Sequence, residues 1–96
     1  MIYEWDPAKA AVNTRKHGVS FEEAVTVFLD PLAITYPDPD HSEVEEREIT
    51  IGQSWQQCVV FVSHCQRGGR TRIIGARRAT RKERGQYEEG IGAGSE

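Results

Sequence analysis

The chain has 96 residues, enough for one small core with little stability to spare. Its 12 Lys and Arg against 15 Asp and Glu give a formal net charge of −3, which excludes a protein that coats nucleic acid through bulk charge. No window is apolar for long enough to span a bilayer, and MIYEWDP carries two acids and no apolar run, so neither a membrane contact nor a signal peptide is expected and the location reads as cytoplasmic.

Ile2 to Trp5 reads as a short strand. Asp6-Pro7 then opens a helix, Asp as N-cap and Pro at the first helical position, and Lys16-His17-Gly18 closes it near His17. Ser20 with Glu23 three residues later predicts a capping box for a second helix. Phe21, Ala24, Val25, Phe28 and Leu29 form its apolar stripe, and Asp30-Pro31 ends it. Leu32 to Tyr36 is β-prone and precedes a Pro37 to Ser42 loop. Strands follow at about Arg47 to Gly52, Cys58 to Cys65 and Arg70 to Ala76, with a hairpin at Gly68-Gly69. A polar helix is expected from Thr80 to about Glu89. The order predicts an α+β domain over residues 1–89, with 90–96 as a flexible tail. Cys58 and Cys65, on one strand, lie roughly 23 Å apart at strand rise, beyond disulfide reach.

Charge is segregated along the chain. Nine acids between Glu22 and Glu48 face a single base, Arg47, whereas Arg67 to Tyr87 holds eight of the twelve cations. A segment that opposes its own protein's net charge points to an anionic partner, and arginine forks suit phosphate. Metal-free RNA cleavage needs a base for the 2′-hydroxyl, cations for the phosphorane-like oxygens and an acid for the leaving oxygen. Arg47, Arg72 and Arg77 fall on strands of one sheet and can form the cationic clamp. His17, His64, Glu83 and Tyr87 are the acid and base candidates, with Ala79, Glu83 and Tyr87 on one stripe of the last helix. Each has a plainer reading. Arg47 sits among acids that it can pair with; Arg81, Lys82 and Arg84 suit a solvated face; Glu83 can pair with an arginine; Tyr87 can anchor its helix; His17 can serve as a helix-end cation; His64 can be a core histidine. The loop acids Asp38, Asp40, Glu43 and Glu45 with His41 meet no metal-ligand spacing, so no metal or other cofactor is expected.

An ordered set of motifs resembles the BrnT family of bacterial type II toxins, relatives of the RelE-type ribonucleases. The set comprises Glu4-Trp5-Asp6-Pro7 with Lys9 and Asn13, Lys16 to Ala24, Asp30-Pro31, His41-Ser42 with Glu46-Arg47, Ile51-Gly52, Arg72-Ile73-Ile74, Ala76-Arg77, Ala79-Thr80 and Glu83-Arg84 through Tyr87. The resemblance implies a RelE-like fold, with an N-terminal strand and two helices packed on an antiparallel β-sheet, followed by a C-terminal helix. It further implies a metal-independent endoribonuclease that suppresses translation and is neutralised by a BrnA-type antitoxin, with DNA engaged only through the antitoxin complex. By motif match, Arg47 and Arg77 would hold the scissile phosphate and Arg72 a flanking phosphate; Arg81 is a further substrate-binding candidate. Glu83 or Tyr87 would transfer protons, with Lys16 and His17 completing the site. Gly75, where the family commonly has Ser, and Gln66, where it commonly has Glu, are departures. The competing reading is a catalytically weak RNA-binding or protein-interaction module.

Overall fold

The computed structural model describes residues 2–41 and 45–94, the last four by backbone alone. Ser42 and Glu43 of the acidic loop, and Ser95 and Glu96 of the expected tail, lie outside the described residues. After β1 (Ile2–Glu4), α1 runs from Pro7 to His17. The Asp6 carboxylate accepts the amides of Ala8 and Lys9, and Gly18 closes the helix at φ 70° with its N–H on the Thr14 carbonyl. In α2 (Phe21–Val27), the Ser20 hydroxyl accepts the Glu23 amide. The expected box is only half made, because the Glu23 carboxylate turns away to accept the buried Ser54 hydroxyl at 2.7 Å. The stripe also shortens. Phe28, Leu29 and Asp30 each bond three residues back, and this tighter winding rotates Leu29 out to 79% exposure while Val27 takes the core position.

The strands β2 (Ile34–Pro37), β3 (Arg47–Gln53), β4 (Val59–Arg67) and β5 (Arg70–Arg78) complete one sheet in the order β1-β5-β4-β3-β2, before α3 (Arg81–Gly94). A short 3₁₀ turn spans Pro39–His41. Pro37 is tolerated because β2 is an edge strand. The sheet is mixed rather than antiparallel throughout, since β1 joins β5 in parallel while the other pairs are antiparallel. About two-thirds of the chain separates β1 from β5, so their direction had no local turn signal.

Two cores lie on opposite faces of this sheet. On one, Phe21, Ala24 and Val27 pack against Val60, Val62, Ile73 and Ala76. Full burial of each large apolar side chain stabilises by about 1.5–3 kcal/mol, so α2 is the main anchor on this side. No α1 residue is buried, and α1 is tied down differently. β1 pairs only with Arg70 to Arg72, which leaves the next stretch of the β5 edge open. The Asn13 amide fills that gap, donating to the Ala76 and Val19 carbonyls and accepting the Ala76 N–H. On the other face, Ile49 and Ile51 pack with Tyr87 of α3, and Ile34, Tyr36 and Phe61 surround them. α3 continues past Glu89, and Gly90 lies over Ile34, where a Cβ would make an ordinary contact at 3.6 Å.

His64 is a core residue of the first face, 3% exposed, with its Nε2 on the Thr50 hydroxyl at 2.8 Å and Phe28 edge-on to its ring. Its Nδ1 is buried with no hydrogen-bond partner among the described residues. Burial therefore pushes its pKa below the ordinary value of 6.5, against a weaker opposing pull from Glu48. The unfolded chain binds this proton more readily, so stability is full above pH 6.5 and falls as the solution is acidified through the lower folded value. Thermal melts should show a midpoint that declines from pH 7 to pH 5 in the parent and declines less in His64→Phe. Parallel declines would mean that this imidazole does not set the acid limb.

Candidate active site

The second face carries the cationic residues, and a β-bulge puts them there. Arg72 and Arg77 are five residues apart, an odd spacing that in a regular strand points side chains to opposite faces. The register between β4 and β5 shifts at Ser63/His64: Ser63 pairs with Gly75, His64 with Ile73, and Ile74 is the extra residue. Ile73 and Ala76 thereby share the first core, and Arg72 and Arg77 share the other face. Three transverse rows result. Ile34, Ile51, Phe61 and Arg77 form the first; Tyr36, Ile49, Ser63 and Gly75 the second; Arg47, Cys65, Arg72 and Glu4 the third.

Arg77 is the centre of the first row's charge. Its Nη1 and Nη2 donate to the two Glu83 oxygens at 2.7 and 2.9 Å, and its guanidinium lies 3.9 Å above the Phe61 ring centroid. Glu83 is fixed from its own helix as well. Its carboxylate accepts the Thr80 amide at 2.8 Å while the Thr80 hydroxyl accepts the Glu83 amide, a complete capping box. The Arg77 hydrogen bonds hold Glu83 below the usual carboxylate range, against burial, and the same pair pushes Arg77 up. A carboxylate thus occupies the Arg77 fork.

In the third row, Arg47 and Arg72 flank Cys65, both in register with it. Arg72 donates to Glu4 at 2.9 Å, and Glu4 also lies 3.8 Å from Arg70. Cys65 is buried, its thiol raised first by burial and then by Glu45, which itself pairs with Arg67 at 3.3 Å. The Gln66 side chain, at one departure position, donates to the Thr71 hydroxyl.

The remaining candidates divide. Glu83 meets Arg77. Tyr87 does not: it is 4% exposed, its hydroxyl donates to Asp30 at 2.5 Å, and its pKa is pushed up to about 12, chiefly by burial and then by that carboxylate. It anchors α3, and its hydroxyl meets Asp30 rather than the Arg77–Glu83 pair. Lys16 and His17 sit at the end of α1, which packs on the opposite side of the sheet, and line a shallow cleft with Lys9, Val12 and Ile74. The structure does not bring them to the Arg77–Glu83 pair, which removes His17 from that centre. Arg81 is exposed in the first turn of α3. Tyr36 enters the site unannounced, because only the β2–β3 register reveals that it shares the arginine face. The Thr80–Glu83 box did have a signal, the spacing of Thr80, Arg81, Lys82 and Glu83.

The model of the family described as "Ribonuclease toxin, BrnT, of type II toxin-antitoxin system" matches residues 5–83. The chain belongs to the BrnT family. Membership makes it a ribonuclease toxin, with RNA as substrate and an antitoxin as partner. The crystal structure of the Brucella abortus ribonuclease toxin BrnT is similar in fold, with TM-score 0.66 and 21% identity over 84% of this chain and 100% of that one. No curated protein gives a significant sequence match. Among the described residues, no helix of this BrnT-family chain is long and apolar enough to cross a membrane.

Proposed function

We propose that this chain is a metal-independent endoribonuclease that stops translation by cutting RNA and is neutralised by a BrnA-type antitoxin, through which alone it reaches DNA. The observation that carries the catalytic reading is the bidentate Arg77–Glu83 pair on an arginine-bearing sheet face. A scissile phosphodiester competes with Glu83 for the Arg77 fork, since each presents two oxygens that share one negative charge to the planar guanidinium. Once displaced, Glu83 loses the Arg77 hydrogen bonds, the largest influence depressing its proton affinity, and gains a phosphate neighbour, and both changes make it a better base for the 2′-hydroxyl. Arg77 stays on the phosphate and stabilises the charge that builds on its oxygens. Arg47 and Arg72 lie two rows away, about 13 Å along the strands, and are suited to flanking phosphates. Arg47 is therefore moved from the scissile group to the flank. Lys16, His17 and Arg81 remain contacts for a longer RNA or for the antitoxin.

The test is induction of the chain alone in a bacterial host beside an Arg47→Ala, Arg77→Ala double variant. Growth arrest with new RNA ends in the parent only is the expected result. Equal toxicity of both would place the activity elsewhere, and two soluble proteins that leave RNA intact would favour a binding module.

A further inference from the structure

The middle row of the arginine face contains a hollow. Ser63 and Gly75 are its two smallest members, neighbours across β4 and β5. A Cβ built on Gly75 would meet only the Asn13 Oδ1, at 3.8 Å, so the space above it is open. The Arg77–Glu83 pair borders this hollow on one side and the Arg47–Cys65–Arg72 row on the other. Tyr36 lies on the same row in β2, beyond Ile49 and two strands from Ser63, or about 10 Å.

Tyr36 is divided in its surroundings. Its ring packs against the Ile49, Ile51 and Tyr87 cluster. Glu83, Arg77 and Asp38 are the charges that act on its ionisation, Arg77 opposing the two acids. Burial raises its pKa first and Glu83 second, which keeps the phenol protonated at neutral pH.

We propose that the Tyr36 hydroxyl is the proton donor to the leaving 5′-oxygen, an inference that rests on the ribonuclease reading above. The 2′-oxygen attacks phosphorus as its proton passes to Glu83, and the new 2′-O–P bond forms. The P–O5′ bond breaks, and its electron pair takes the phenol proton at O5′. The products are a 2′,3′-cyclic phosphate and a 5′-hydroxyl. The proton on Glu83 then returns to the phenolate through solvent, with Arg77 beside both groups meanwhile. Tyr36 thereby fills the place that the sequence offered to Tyr87, whose hydroxyl is committed to Asp30.

The experiment compares Tyr36→Phe with the parent on an RNA oligonucleotide that the parent cleaves, and on the same oligonucleotide with sulfur in place of the scissile 5′-oxygen. Phenylalanine keeps the ring in its cluster, so the fold and RNA affinity should be unchanged. Cleavage of ordinary RNA should fall about 10²-fold or more. A thiolate leaves without a proton, so the variant should recover the parent's rate on the sulfur substrate. Equal loss on both substrates would make Tyr36 a packing residue, and no loss on either would remove it from the reaction. Arg77→Ala runs alongside: a parent that fails to cut, or an alanine variant that cuts as well as the parent, overturns the ribonuclease site itself rather than the role of Tyr36 alone.

Discussion

Arg77→Ala is expected to slow RNA cleavage by the purified protein about 10²–10³-fold, the loss typical of one preorganised donor aimed at developing charge. The effect belongs to chemistry more than to folding. Arg77 contributes a pair with Glu83 and a cation–π contact with Phe61, each partly exposed and together worth about 1–2 kcal/mol. Glu83 keeps its bond to the Thr80 amide after the arginine is gone, so α3 retains its cap. Arg77→Lys should recover little, because an ammonium cannot reproduce two parallel bonds to one phosphate. Glu83→Gln separates the two roles of its carboxylate. It abolishes the base and frees the fork, so RNA affinity should hold or rise while turnover falls. Turnover unchanged in Glu83→Gln would leave the carboxylate as a placeholder and helix cap only. Cleavage at the parent's rate by Arg77→Ala would remove this face from catalysis.

What the sequence made legible was local. The caps of α1 are Asp6, Pro7 and Gly18 in adjoining positions, and each acts within four residues, so spacing alone located both ends. The Gly68-Gly69 turn is equally local, with φ of 54° and 80°. What it did not reveal depended on register. The extra residue at Ile74 brings Arg72 and Arg77 to one face, and in Arg-Ile-Ile-Gly-Ala-Arg only Gly75, a glycine inside a strand, hints at a bulge without fixing the register. Tyr36 became a site residue only through its alignment with Ile49, Ser63 and Gly75. The last helix shows both sides of this limit. Its polar sequence does not say what holds it, although Glu83 and Tyr87 do share a stripe. That stripe crosses from the edge of the arginine cluster into the second core, so one residue meets Arg77 and the other is buried four positions on.

The largest effect on stability is expected at that buried end. Among the described side chains, Tyr87 is the principal apolar contact of α3 with the sheet, seated on Ile49 and Ile51. Truncating a buried aromatic to alanine costs about 3–5 kcal/mol, against a total of about 5–15 kcal/mol for a domain. Tyr87→Ala should therefore lower the thermal midpoint by roughly 15–30 °C. Tyr87→Phe keeps the ring and removes one bond to Asp30, a charge-assisted contact worth about 1.5–3 kcal/mol. Asp30 is buffered against that loss, because it still accepts the Gln53 and Leu32 amides. Burial pushes its pKa up, but these hydrogen bonds together with that of Tyr87 outweigh it and hold the carboxyl below its ordinary value. Its stabilisation is thus present above the ordinary carboxylate value and is lost as pH falls through the folded one, and Tyr87→Phe should make melts less steep in that acid range. Assayed well below its midpoint, Tyr87→Phe should cut RNA at the parent's rate. A melt unchanged in Tyr87→Phe with activity lost would reverse the assignment, making Tyr87 the functional phenol and Tyr36 the packing residue.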